Sequence, residues 1–109
     1  MIDENELYIK AIRYFGVEKQ FKKTIEECSE LITAILHYED DKATIIDIAK
    51  EVADVEIMCS QIWIILEEKL AGKLDLKNKY RKQKLNKLKR ILEIAHRNSS
   101  RIQTGNRRI

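Results

Sequence analysis

The hydrophobic residues of this chain fall mostly three and four positions apart in successive stretches, which is the spacing of an α-helix. The first predicted helix covers residues 4–15 and ends at Gly16, and the second covers residues 17–38. The third follows a polar break and runs to about Ala71, and the fourth covers residues 73 to about 97. The chain has no proline and only three glycines, which also favours helices. The pattern predicts an all-α protein of four helices.

The third predicted helix is apolar on nearly every side between Ile45 and Leu66. A helix of this kind is buried all round. From the polar break to Ala71, at about 1.5 Å per residue, the whole helix would be about 42 Å long. A compact domain of this size has a radius of gyration of only about 13 Å. Because one chain can hardly cover such a helix, we expect an oligomeric bundle, either a homodimer or a homotetramer.

Two pairs of carboxylates flank the polar break between the second and third helices. Glu27 and Glu30 are three residues apart, as are Glu51 and Asp54. Residues at this spacing share one helix face. If the break at residues 39–42 is the turn of an antiparallel helical hairpin, position 27 lies opposite 54 and position 30 lies opposite 51. The four carboxylates therefore meet at one level of the hairpin core.

Carboxylates in such close contact repel one another unless a cation neutralises them. Oxygen ligands in this number suit Mg²⁺, with Mn²⁺ as an alternative, rather than zinc. Since Mg²⁺ usually retains water and binds substrate phosphates, the cluster points to phosphate chemistry. Each acid alone is most simply a solvated helix residue. It is their joint register, with the apolar neighbours of Glu51 and Asp54, that favours a metal site.

Charge is distributed unevenly along the chain. Residues 1–72 contain 8 basic and 16 acidic side chains, whereas residues 73–109 contain 13 basic and 2 acidic ones, so the net charge of +3 conceals two opposite halves. A basic half of this kind needs an anionic partner. Arg81 and Lys84 share one side of the fourth helix and are candidates for binding phosphate. A solvated basic face is an equally simple interpretation.

The remaining features concern domain organisation and location. Residues 1–97 are expected to form one domain, followed by a flexible, polar and basic tail at 98–109. Cys28 and Cys59 do not face each other in the predicted hairpin and are interpreted as reduced core thiols of a cytosolic protein. The N-terminus does not resemble a signal peptide, and the longest apolar stretch, residues 57–66, is too short and interrupted to span a bilayer. We therefore expect a cytoplasmic protein without a membrane partner.

The order of the acidic residues is also typical of one enzyme family. The motif EExxE is followed, after 20 residues, by ExxD, at positions 26, 27, 30, 51 and 54. The preceding segment GVEKQF, from residue 16, fits the same pattern, as does the continuation with Leu31, Ile32 and Ala34. Over roughly residues 15–66 the chain resembles the MazG-type all-α nucleoside triphosphate pyrophosphatases.

This resemblance implies a Mg²⁺-dependent enzyme that cleaves a nucleoside triphosphate between its α and β phosphates, releasing a monophosphate and pyrophosphate. Glu27, Glu30, Glu51 and Asp54 would be the catalytic, metal-binding carboxylates. The metal would neutralise phosphate charge and lower the pKa of the attacking water, and a carboxylate not saturated by metal, such as Glu27, would accept the proton. Glu26 has a supporting role in the family pattern, although geometry alone does not exclude it from the metal site.

The nucleobase of such a substrate requires an aromatic or amide contact. Tyr14, Phe15 and Gln20 are the candidates, although each can equally be a core or surface residue. Gln20, Arg81 and Lys84 are therefore the predicted substrate-binding residues.

Two other functions compete with this interpretation. Phosphoribosyl-ATP pyrophosphatase shares the acidic motif, but the segment VEIMCSQ after Asp54 lacks the Leu-Tyr-His run that usually follows there. A helical nucleic-acid-binding or assembly module would use the basic last helix to contact the phosphate backbone. The acidic cluster disfavours nucleic acid as a partner because it would repel it. The sequence therefore favours a pyrophosphohydrolase of nucleotide pool cleansing or phage-type nucleotide metabolism.

Overall fold

The computed structural model describes residues 1–72 and 75–102, with side chains described as far as Ser99. Within these ranges the chain forms helices and no strand. The helices are α1 (Glu4–Phe15), α2 (Val17–Glu39), α3 (Ile45–Lys69) and α4 (Leu76–Ile102). The prediction of an all-α protein with four helices is confirmed for this part of the chain. No described helix has the combination of length and apolar character that crossing a bilayer requires.

The chain divides into two compact units, Met1–Leu74 and Asp75–Ile109. The first unit contains α1, α2 and α3, and the second contains α4. The predicted single domain of residues 1–97 includes parts of both units, and its extent stays a prediction.

The ends of α1 follow from local sequence signals. The Asp3 side chain caps its start by accepting a hydrogen bond from the backbone N–H of Glu6 at 3.1 Å. Gly16 ends it with a φ of 91°, and its backbone N–H donates to the carbonyl of Ile12 at 2.8 Å. A positive φ is accessible to glycine without steric cost, so α2 can begin directly after it at Val17. The predicted bounds of α1 are therefore confirmed.

The start of α3 is fixed by a capping box. Thr44 has an extended backbone, and its hydroxyl accepts from the Asp47 backbone N–H at 3.3 Å while the Asp47 carboxylate accepts from the Thr44 N–H at 2.7 Å. The hydrogen bond from the Thr44 backbone holds the pKa of Asp47 below its ordinary value. Asp41 lies in the preceding turn with a φ of 59°.

The packing of the first unit is concentrated between α2 and α3, with α1 contacting both. The buried apolar residues in its described part are few, namely Ile12, Ala34, Met58 and Ile65. Three polar residues are equally buried, and they lie on α2 and α3: Gln20, Glu27 and Gln61. Buried polar side chains are uncommon unless they have a partner or a function, so this region contains the candidate site.

Two expectations need correction. The predicted end of the last helix at about residue 97 is too early, because α4 continues to Ile102. Helical hydrogen bonds do not require apolar packing, so a polar run can extend an existing helix. The flexibility of the tail at 98–109 stays a prediction. Cys59 is exposed and Cys28 is only half-buried, so neither is a fully buried core thiol. The predicted start of the last helix at residue 73, and the tail at 103–109, lie outside the described residues.

Candidate metal centre

Three of the predicted carboxylates converge from two helices. Glu27 of α2 and Glu51 and Asp54 of α3 each place one oxygen so that all three oxygens lie within 4.8 Å of one another. Ligand oxygens around an octahedral ion with bonds of about 2.1 Å lie roughly 3 to 4.2 Å apart. A small adjustment of side-chain rotamers therefore suffices for one divalent ion to bind all three.

The burial of these oxygens sets the cluster apart from ordinary surface acids. Glu27 is only 7% exposed. Its Oε2 atom and the Oε2 atom of Glu51 are both buried without any hydrogen-bond partner. A buried carboxylate oxygen without a donor loses its hydration and gains nothing in return. The cluster is therefore unfavourable as it stands, and a bound cation would relieve it.

Glu30 lies beside this cluster rather than among the three converging oxygens. A side-chain hydrogen bond with Glu27, and then the negative charge of Glu27, raise the pKa of Glu30 above its ordinary value. The charge of Glu51 acts in the same direction. Glu30 also lines a cavity of about 620 Å³ together with Glu26 and Glu51. Of the four predicted carboxylates, three therefore converge, and the fourth, Glu30, lies next to them.

Lys23 contacts the acidic cluster from one turn earlier on α2. Its Nζ atom lies 3.0 Å from Glu27 Oε1 and 3.7 Å from Glu26 Oε1. The hydrogen bond to Glu27 and the negative charge of Glu26 raise the pKa of Lys23. Sequence reasoning missed this residue, although its four-residue spacing from Glu27 is a signal for such a contact.

A second cavity, of about 590 Å³, is lined by residues of α1, α2 and α3. Its lining includes Phe15, Gln20, Lys23, Glu26, Met58 and Gln61. Glu26 lines both cavities and therefore borders each of them. Phe15, a predicted candidate for base contact, faces this space, whereas Tyr14 is exposed and is not among the residues that line it.

A buried amide pair forms one wall of this second cavity. The Gln20 Nε2 atom donates to Gln61 Oε1 at 2.6 Å, and Gln61 Nε2 contacts the Met58 sulfur at 3.7 Å. Gln20 is 6% exposed and Gln61 is 4% exposed. In the predicted hairpin, position 20 lies opposite position 61, just as position 27 lies opposite position 54. That register, together with a polar residue inside an apolar helix, is the signal that could have identified Gln61.

Arg81 and Lys84 are exposed residues of α4, in the second unit. Three turns of the helix around them are rich in lysine and arginine. Their expected role in binding phosphate stays a prediction.

No protein-family model matches this chain, and searches of curated proteins and of solved structures gave no match either. The likeness to the MazG-type pyrophosphatases rests on the acidic motif and its flanking residues.

Proposed function

We propose that this protein is a divalent-metal-dependent nucleoside triphosphate pyrophosphohydrolase, which cleaves an NTP or dNTP to the monophosphate and pyrophosphate. The observation that carries this proposal is the pair of buried, unpartnered oxygens, Glu27 Oε2 and Glu51 Oε2, in a cluster that Asp54 completes. These oxygens match the donor set that Mg²⁺ or Mn²⁺ prefers. A cytoplasmic location, where Mg²⁺ and nucleotides are abundant, belongs to the same proposal.

The acidic residues would have two different roles, metal binding and proton acceptance. Glu27, Glu51 and Asp54 would hold the metal, which when bound supplies charge neutralisation and a more acidic water. Glu30 lies next to these ligands but outside the converging set, and its carboxylate would accept a proton from that water. Glu27 is less suited to this task because it belongs to the converging set that would hold the metal.

The nucleoside would occupy the second cavity. The Gln20 and Gln61 amides provide hydrogen-bond donors and acceptors for a base edge, and Phe15 and Met58 provide apolar surface for its ring. Because Glu26 borders both cavities, a triphosphate extending from this pocket would reach the acidic cluster. Arg81 and Lys84 are proposed to bind its outer phosphates.

We further infer that α2 and α3 form an antiparallel hairpin at the centre of a homodimer or homotetramer. The contacts Gln20 to Gln61 and Glu27 to Asp54 support the hairpin. Several large apolar side chains of α2 and α3 are exposed in the single chain: Ile25, Ile32, Leu36, Ile45, Ile46 and Ile57. Soluble monomers rarely expose more than a few hundred Å² of contiguous apolar surface. A monomeric mass by light scattering at micromolar concentration would contradict the oligomer.

The exposed basic face of α4 favours a second candidate, a nucleic-acid-binding or assembly module. In that case the acidic cluster would have no part in the function. Phosphoribosyl-ATP, whose cleavage would use the same metal cluster, remains the less favoured substrate of the enzymatic proposal, because the segment after Asp54 lacks the Leu-Tyr-His run.

The decisive assay is pyrophosphate release from a panel of canonical and modified nucleotides, with phosphoribosyl-ATP included, in Mg²⁺ and in Mn²⁺. We expect pyrophosphate and the nucleoside monophosphate as the only products from at least one nucleotide. Orthophosphate as the first product would contradict cleavage between the α and β phosphates. No release from any nucleotide would favour the binding module.

A further inference from the structure

Lys23 borders two different environments. On one side its ammonium contacts Glu27 Oε1 at 3.0 Å, within the acidic cluster. On the other side it lines the cavity walled by Gln20 and Gln61. The side chain is 48% exposed, so it can rotate between these environments without disturbing the packing of α2 and α3.

The ion pair of Lys23 with Glu27 differs from the other helical pairs of the first unit. Lys10 pairs with Glu6 at 3.1 Å and Lys22 pairs with Glu18 at 3.3 Å, and in both cases the two side chains are exposed. Exposed pairs of this kind contribute little to stability. Glu27, in contrast, is buried, and a buried carboxylate needs a counter-charge. Lys23 is the cation that provides it in the metal-free protein.

We propose that Lys23 is a displaceable counter-ion, which neutralises Glu27 when the metal site is empty and binds the phosphates of the nucleotide when the site is filled. This inference rests on the proposed function, since it takes the acidic cluster as a metal site. Glu27 presents its Oε1 atom to Lys23, while its Oε2 atom is buried without a hydrogen-bond partner. A divalent cation at the cluster would replace the charge that Lys23 supplies and would repel its ammonium.

The released ammonium would remain at the border of the cavity in which a triphosphate has to lie. Lysine is a compact charge on a flexible four-carbon chain, and it commonly binds phosphate as a point charge. Lys23 therefore acts in opposite directions on two ligands. It weakens metal binding in the absence of nucleotide, and it strengthens nucleotide binding once the metal is present.

This pair of opposite effects can be measured without enzymatic turnover. The variant is Lys23→Met, and the matched control is Lys10→Met, which removes the lysine of an exposed pair on α1. Mn²⁺ affinity is measured by electron paramagnetic resonance on the nucleotide-free protein. Affinity for an α,β-methylene nucleoside triphosphate, which cannot be cleaved at that bond, is measured by calorimetry in saturating Mn²⁺.

We expect Lys23→Met to bind Mn²⁺ about threefold more tightly than the parent, which is the scale of a partly exposed ion pair. We expect the same variant to bind the nucleotide analogue about tenfold more weakly, which is the scale of a charge-assisted hydrogen bond. Lys10→Met should match the parent in both, and Lys23→Arg should recover most of the analogue affinity.

The outcomes separate this inference from the proposed function. Weaker Mn²⁺ binding in Lys23→Met, or unchanged affinity for the analogue, would overturn the role of Lys23 while leaving the metal site in place. Absence of Mn²⁺ binding in the parent protein would overturn the metal site, and with it both proposals. Circular dichroism would show whether Lys23→Met still folds. If it does not, Lys23→Arg is tested instead, and we expect it to bind both Mn²⁺ and the analogue. Loss of analogue affinity in Lys23→Arg would also overturn the role of Lys23.

Discussion

The helices α2 and α3 use their polar residues differently from α4. In α2 and α3, Glu27, Gln20 and Gln61 are buried, and two carboxylate oxygens have no partner. In α4, every charged side chain from Lys77 to Arg97 is exposed. Exposed charge is the ordinary condition of a helix surface and is compatible with many functions, whereas buried and unpartnered charge persists only for a reason. The acidic cluster therefore supports a functional assignment more strongly than the basic helix, although the basic residues are more numerous.

The largest effect on activity is expected from substitutions in the buried acidic cluster. Glu51→Gln or Asp54→Asn should lower pyrophosphate release by about 10³-fold or more, because each removes a ligand of the metal on which charge neutralisation depends. The melting temperature of the metal-free protein should stay the same or rise, because mutual repulsion is reduced. Calorimetry in a chelator checks this. A lower melting temperature would show that these carboxylates are structural.

The role of the exposed basic residues of α4 is tested by Lys84→Glu. If α4 binds the triphosphate, this charge reversal should raise the KM for the nucleotide about tenfold, on the scale of a lost charge-assisted contact. Lys79→Glu, on a neighbouring strip of the same helix, is the control and should change KM less. An unchanged KM in Lys84→Glu, together with tight and salt-sensitive binding of DNA or RNA by the parent, would assign α4 to nucleic acid instead.

The start of α3 provides a smaller effect that is independent of catalysis. Thr44→Ala removes the hydroxyl half of the capping box, while the backbone N–H of residue 44 is kept, and it should lower the free energy of unfolding by about 1 kcal/mol at neutral pH. The folded-state pKa of Asp47 is lowered, so its contribution is present above the ordinary aspartate pKa and is lost as the pH falls through the folded value. The Thr44 backbone N–H is the main cause of this lowered pKa, and the Thr44 hydroxyl, which donates to Asp47 Oδ2 at 3.0 Å, is the second. Because Thr44→Ala removes only the hydroxyl, denaturant titrations should show the part of its cost that comes from this bond shrinking in acid. A cost that grows as the pH falls would contradict this account.

The smallest effect is expected from the end of the chain. A protein that stops after Arg97 should retain its full rate of pyrophosphate release, because neither the acidic cluster nor the predicted phosphate contacts lie beyond that residue. The same truncation should weaken nucleic-acid binding if that is the function, since it removes Arg101, Arg107 and Arg108. A substantial loss of hydrolysis would show that the end of the chain takes part in the active site or in assembly.

Local and periodic features explain what the sequence could predict. The bounds of α1 depend on Asp3 and Gly16, which act within a few residues of themselves. The convergence of Glu27, Glu51 and Asp54 follows from helical spacing and the position of one turn. The predicted end of α4, at about residue 97, is too early because a polar sequence can continue a helix without apolar packing.

Features that depend on contacts between helices were harder to predict. Gln61 is polar within an apolar helix, and its partner, Gln20, lies 41 residues earlier, so only the hairpin register links them. Lys23 was overlooked because a lysine four residues before a glutamate is common on helix surfaces. Its significance comes from the burial of Glu27, which depends on the packing of α3 against α2.

The most direct test of the central claim is a crystal structure with Mn²⁺, using the anomalous signal of the metal. The account predicts a peak within about 2 Å of one oxygen each from Glu27, Glu51 and Asp54. Both of the buried oxygens that now have no partner should then be bound to the metal or to its water. Crystals grown with millimolar Mn²⁺ that show no peak at this cluster, with Lys23 still paired to Glu27, would contradict it.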